Sequence, residues 1–206
     1  MSDQLKQRSA FVTGATGCIG SALTSRLAAE GWRVVALVRD QTRASFLNQL
    51  TNVELIEGNL ADAEKLVSAM RGCQTVFHLA AKVHAASVTS PEEFERDNIA
   101  GTRNVVAAAI ENRIERFIHF STVAVFGEES EWLDESSPTA PTTDYGTSKL
   151  EAERIALSAS ELKTTVLRLP VVYGARYRGN VTKLIEAIRH NRYFIVGDGQ
   201  NFNRMV

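Results

Sequence analysis

Short apolar runs alternate with amphipathic stretches along most of the chain. Ser9 to Thr13, Val34 to Val38 and Val53 to Glu57 read as strands, as do Gln74 to His78, Phe117 to Ser121 and Thr164 to Leu169. Val34-Val35-Ala36-Leu37-Val38 is apolar without interruption, the pattern of a strand covered on both faces. Between the strands, apolar residues return with helical spacing. Ile19, Ala22, Leu23 and Leu27 share one face of a first helix, and Gly31 stands where that helix should end. Phe94 to Asn112 and Tyr145 to Leu157 read as further helices. Alternating β and α segments with short links predict a doubly wound parallel α/β sheet. The acidic, proline-containing stretch Gly127 to Thr143 reads as a surface loop. Beyond Pro170 the pattern thins to a loop, a helix over Val181 to His190, a short strand over Tyr193 to Val196 and the turn Gly197-Asp198-Gly199.

Composition adds exclusions. The 206 residues carry 23 basic and 24 acidic side chains, a formal net charge of −1. With a pI of about 6.4, the chain has no general attraction to nucleic acid or to an anionic membrane. Hydrophobic residues at 44% and charged residues at 23% exclude a disordered or collagen-like chain. No apolar run approaches the roughly 20 residues of a membrane span. Met1 to Ser9 is polar and leads into a glycine-rich turn, unlike a secretory signal. The two cysteines, Cys18 and Cys73, make no disulfide framework, so a reducing, cytoplasmic compartment is expected. No metal site is expected.

Three local patterns carry chemistry. Thr13-Gly14-Ala15-Thr16-Gly17-Cys18-Ile19-Gly20 follows the first strand and opens the first helix. A pyrophosphate needs backbone N–H groups aimed at it, and a helix N-terminus supplies them with a favourable dipole. Gly14 permits the tight turn, Gly17 lets the phosphates approach, and Gly20 lets helix and strand pack closely. Thr16, Cys18 and Ile19 complete this candidate dinucleotide contact. The second strand ends Val38-Arg39-Asp40, with Val38 where an acidic ribose reader is expected. Arg39 favours the 2′-phosphate of NADP over NAD, while Asp40 offers an alternative reader of the ribose hydroxyls. Tyr145 and Lys149 stand at i and i+4 near a helix start, hence on one face. A cation near a phenol favours the phenolate, and such a phenol exchanges a proton with a carbonyl or alcohol oxygen. Thr122 or Ser121, at the end of the fifth strand, can offer a hydroxyl to the same oxygen. His78 reads as a structural strand residue.

Together these residues resemble the extended short-chain dehydrogenase/reductase family, also called the NAD-dependent epimerase/dehydratase family. The likeness runs from Phe11 to about Met205. Thr13 to Gly20 is similar to the family's TGxxGxxG turn. Gly58-Asn59-Leu60 is similar to its GDL, with Asn59 in place of Asp, and Val76-Phe77-His78-Leu79-Ala80-Ala81 to its VxHLAA strand end. Asn98-Ile99-Ala100-Gly101-Thr102 resembles NVxGT, Tyr145 to Leu150 resembles YGxSKL, and Leu167 to Gly174 resembles LRxxxVYG. The resemblance implies a Rossmann-type fold. It implies Tyr145 as general acid/base, Lys149 lowering its pKa and holding the nicotinamide ribose, and Thr122 as the hydroxyl partner in preference to Ser121. It implies cofactor contacts at Asn59, Leu60, Leu79, Ala80, Ala81, Asn98, Pro170 and Val172 beside the turn, Arg39 and the Tyr–Lys pair. Thr122, Val123, Tyr145 and Val171 are the implied substrate contacts. It divides the chain into an NAD(P)-binding domain over 1–169 and the start of a substrate region over 170–206, incomplete in a chain that stops where relatives continue. A homodimer pairing through the helices at Phe94–Asn112 and Tyr145–Leu157 is also implied.

Departures bear on the substrate. Sugar-nucleotide epimerases of the family carry Asn where Val171 stands, and a valine cannot hydrogen-bond a phosphate. Ala175-Arg176 follows Gly174 in place of the usual Gly-Pro, a smaller change. The pattern looks more like hydroxysteroid dehydrogenase-like and dihydroflavonol reductase-like members. The first expectation is therefore an oxidoreductase moving hydride between NADP or NAD and a small, apolar carbinol or carbonyl. A nucleotide-sugar epimerase or dehydratase is the alternative, and a catalytically silent cofactor sensor or assembly protein the third. Glu128, Glu129, Glu131 and Trp132 read as part of a solvated loop.

Overall fold

The computed structural model describes residues 7–83, 89–127, 132–174, 177 and 180–192. Six strands form one parallel sheet in the order β3-β2-β1-β4-β5-β6. They are β1 (Ser9–Thr13), β2 (Arg33–Val38), β3 (Val53–Glu57), β4 (Thr75–His78), β5 (Arg116–Thr122) and β6 (Lys163–Leu169). The apolar runs belong to strands with both faces covered. Phe11, Val35 and Leu37 point into one core layer and Ala10, Val12, Val34 and Ala36 into the other. The first layer lies under α2 (Ala63–Ala69), α4 (Gly101–Glu111) and α5 (Asp144–Ser158), the second under α1 (Cys18–Ala29) and a 3-10 turn over Ser45–Gln49. On the outer strand β6 burial weakens, and alternate residues face solvent.

Two elements differ from the sequence expectation. The helix expected from Phe94 begins earlier, as α3 (Pro91–Phe94), and passes through a π-helical segment (Glu95–Ala100) before α4. Pro91 at the first turn and Glu93, whose Oε2 accepts the Ser90 N–H at 3.2 Å, explain the earlier start. A seven-residue helix, α2, was not anticipated. Asp62 caps it by accepting the Lys65 N–H at 3.1 Å. The last helix, α6 (Asn180–Arg189), lies close to its expected range. The expected strand over Tyr193 to Val196, the Gly197-Asp198-Gly199 turn, Ala175, Arg176, Glu128, Glu129 and Glu131 lie outside the described residues.

Candidate active site

Strand order reverses between β1 and β4, and a cleft of about 710 Å³ opens there beyond the carboxyl ends. Its walls include Gly14, Thr16 and Gly17 after β1, Arg39 after β2, Asn59 and Leu60 after β3, and Leu79, Ala80 and Ala81 after β4. Gly14 has φ +74°, and a Cβ there would stand 2.7 Å from the Ala80 nitrogen. A Cβ on Gly20 would run into the Gly14 carbonyl, so both positions need glycine. Gly17 caps α1 without any side-chain cap, and the first turn, with Cys18 and Ile19, carries no acidic residue. Backbone N–H groups at this end are thus left for an anion, and the helix dipole favours one. Arg39 is exposed at the wall. Asp40 is committed to its own turn, its Oδ1 accepting the N–H groups of Thr42 at 2.8 Å and Arg43 at 3.2 Å.

The second part of the site is built by β5 and α5. Thr143 caps α5, its hydroxyl oxygen accepting the Gly146 N–H at 3.0 Å, and so places Tyr145 in the first turn. The Tyr145 hydroxyl is hydrogen-bonded to Thr122, the last residue of β5. Thr122 also accepts the Ala124 N–H at 3.2 Å, which fixes its rotamer. Ser121 faces the other way, its hydroxyl buried without a partner among the described residues. The lowering expected from Lys149 is not found: burial pushes the Tyr145 phenol above its usual 10, and the Thr122 hydrogen bond, not the Lys149 charge, pulls the other way. Lys149, one turn on, is 2% exposed; its Nζ donates to the Phe120 carbonyl at 2.7 Å and lies 3.4 Å from His119 Nε2. Burial lowers its pKa to about 8, opposed by the charge of Glu153. Pro170, Val171 and Val172 follow β6, with Val171 and Tyr173 exposed. Val123 packs against the small cluster of Val125, Phe126 and Leu150.

A buried polar chain joins the two parts. Ala80 N–H donates to Thr13 Oγ1 at 3.1 Å, and Thr13 lies 2.7 Å from His78 Nδ1. His78 Nε2 lies 3.0 Å from Thr102 Oγ1, whose hydroxyl donates to the Asn98 carbonyl at 2.6 Å. Thr102 spends its one proton on that carbonyl, so it accepts from Nε2, and Nδ1 accepts from Thr13. Burial, then the Lys149 charge, lowers the His78 pKa to about 3, so the ring is neutral. Asn98, 1% exposed, donates Nδ2 to the Lys82 carbonyl and to Ser148 Oγ, and Ser148 donates to the Tyr145 carbonyl at 2.8 Å.

Comparison with known proteins places this arrangement. The model of the NAD dependent epimerase/dehydratase family matches residues 10–202. The chain belongs to this family. It is 38% identical over 196 residues to a 4-hydroxy-2-methyl-3-oxo-4-farnesyl-3,4-dihydroquinoline-1-oxide ketoreductase of Stigmatella aurantiaca. It is 32% identical over 201 residues to an N-acetyl-alpha-D-glucosaminyl-diphospho-ditrans,octacis-undecaprenol 4-epimerase of Escherichia coli O157:H7. These alignments take in 92% and 95% of this chain but 58% of each relative. Among solved structures, MoeE5 in complex with UDP-glucose and NAD superposes with a TM-score of 0.81 at 32% identity, over 96% of this chain and 67% of that one.

Of the expected cofactor positions, Gly14, Thr16, Gly17, Arg39, Asn59, Leu60, Leu79, Ala80 and Ala81 line the cleft directly. Cys18, Ile19, Gly20, Tyr145, Lys149, Pro170 and Val172 are not among its lining residues, and neither is Asn98, which holds the backbone of Lys82, itself a lining residue. Lys82, Arg96 and Asp97 are cleft residues the sequence reading passed over. Lys82 pairs with Glu93 at 2.7 Å and Arg96 with Asp97 at 2.7 Å. His119, Ser148 and Glu153 were also missed, since nothing at short range marks them as buried. Among the described residues, no group of three or more His, Cys, Asp or Glu is placed to hold a metal ion.

Proposed function

We propose that the protein is an NAD(P)-dependent reductase or dehydrogenase acting on a carbonyl or carbinol of an apolar small molecule. The hydrogen-bonded Tyr145–Thr122 pair, with Lys149 one turn along the same helix, carries this reading. Gly14, Gly17 and the uncapped end of α1 would hold the pyrophosphate, with Asn59, Leu60, Leu79, Ala80 and Ala81 along the cleft and Pro170 and Val172 beside the nicotinamide. A bound reduced nicotinamide supplies the hydride. Tyr145 gives its hydroxyl proton to the substrate oxygen as the carbonyl becomes an alcohol, and Thr122 orients that oxygen. Lys149 stabilises the phenolate left behind and takes the ribose hydroxyls. In this reading residues 1–169 hold the cofactor and the catalytic pair, and the substrate region begins at 170. NADP is favoured over NAD, because Arg39 lines the cleft while Asp40 caps its own turn. Val171 and Tyr173, exposed beyond β6, and Val83 at the cleft wall suit an apolar substrate. The farnesyl and undecaprenol groups in the relatives' names agree with it. The reading includes a cytoplasmic homodimer joined through α4 and α5, where Leu157 is exposed.

Titration of the purified chain with NADPH and NADH should give about tenfold tighter binding of NADPH. Tyr145→Phe should keep that binding and slow NADPH oxidation with farnesyl and long-chain ketones by about 10²–10⁴-fold. Unchanged turnover in Tyr145→Phe would sink the mechanism. The similarity to an undecaprenol-linked sugar epimerase favours a second reading, a 4-epimerase. It requires cofactor that copurifies and sugar inversion without net NADPH oxidation.

A further inference from the structure

We propose that His119 is a positioning residue for Lys149, its Nε2 lone pair holding the buried ammonium in place against the Phe120 carbonyl. The consequence for catalysis rests on the reductase reading of Lys149; the contact itself does not.

A buried ammonium needs acceptors, because the water it gave up must be replaced. Lys149 finds the Phe120 carbonyl at 2.7 Å and then His119 Nε2 at 3.4 Å. The groups around it leave few substitutes. Glu153, on α5, has both carboxylate oxygens committed to Arg168 of β6, at 2.8 to 3.2 Å. His78, on β4, has both ring nitrogens committed to Thr13 and Thr102. Tyr145, on α5, is bonded to Thr122. Asn98, in the π-helical segment, is engaged with Lys82 and Ser148. An ammonium only donates, so His119 Nε2 accepts and its proton sits on Nδ1. That Nδ1 is fully buried and has no partner among the described residues. An apolar residue would avoid this cost, and Phe117, two residues earlier on the same face of β5, shows that an aromatic hydrocarbon packs there. The imidazole is neutral, as an acceptor must be: burial, then Lys149, then His78 hold its pKa well below the usual value.

The test reads Lys149 directly, by NMR of the chain labelled at lysine side-chain carbons and histidine nitrogens. In the unsubstituted protein, His119 Nε2 should be unprotonated at neutral pH and Lys149 should titrate near pH 8. His119→Met, of similar length and with only a weakly accepting thioether, should lower that midpoint by about one unit, a tenfold change in the ammonium's acidity. His119→Gln, which restores an acceptor oxygen, should bring it back towards the starting value. A proton on Nε2, or equal midpoints in the Met and Gln variants, overturns the proposal. The Nε2 measurement needs no variant to fold, and neither readout needs cofactor or substrate. Failure to bind NADPH would therefore defeat the reductase reading and leave this result standing.

Discussion

His78 shows how a single side chain ties the site to the pH of the medium. Its pKa is lowered to about 3 in the fold, against about 6.5 in an unfolded chain. Between those values the unfolded chain binds a proton that the folded one refuses. Stability from this group is therefore whole above about pH 6.5 and drains as the pH falls towards 3. At pH 5 the loss from His78 alone is about 2 kcal/mol. Urea denaturation should show that fall between pH 7.5 and pH 5, and His78→Gln, which does not titrate, should shrink it by about that amount. His119 is shifted in the same direction, so some slope should persist. Equal slopes in the two proteins would contradict the assignment. At this scale the sequence was readable where partners are close along the chain. The glycine turn, and Tyr145 with Lys149, announce themselves by spacing. The preference for Thr122 over Ser121 came from the family pattern, and strand alternation is its physical cause. His119 stayed hidden because its partner Lys149 is 30 residues away, and only the pairing of β5 with α5 brings them together.

Among elements, strands were more legible than helices. A strand buried on both faces writes an uninterrupted apolar run, whereas α2 offers only Leu66 as a buried anchor and depends on its cap. The signal was Asp62 before Ala63-Glu64-Lys65-Leu66, an acceptor followed by helix formers. Asp62→Ala should lose about 1 kcal/mol of stability in a thermal or denaturant melt. No loss would mean that packing of Leu66 alone determines the helix. The π-helical segment was not legible either, because hydrophobic spacing reports faces rather than hydrogen-bond partners. Yet it carries Asn98, which ties α5 to the loop after β4.

For the whole molecule, alternation of strand and helix foretold the doubly wound sheet, and the strand order put the cleft at its reversal. What did not follow from pattern is how much apolar surface the residues from β6 onward present. Leu184, Ile185 and Ile188 on α6 are 38%, 43% and 51% exposed, and Leu167, Val171 and Tyr173 are exposed along and beyond β6. Exposed apolar residues on this scale bind hydrophobic probes. The 206-residue chain should enhance the fluorescence of an anilinonaphthalene dye at pH 7, and Ile185→Lys with Ile188→Lys should cut the signal by half or more with little change in melting temperature. A signal no higher than that of a well-packed control protein would contradict this. A last consequence concerns β5 and α5, which run in opposite directions where Thr122 meets Tyr145 and the Phe120 carbonyl meets Lys149. Four residues of helix advance about 6.0 Å, and two residues of extended strand about 6.6 Å. The two rulers are nearly commensurate over this one interval and drift apart beyond it. The Tyr145 phenol and the Lys149 ammonium can therefore be held by a single strand only at this separation.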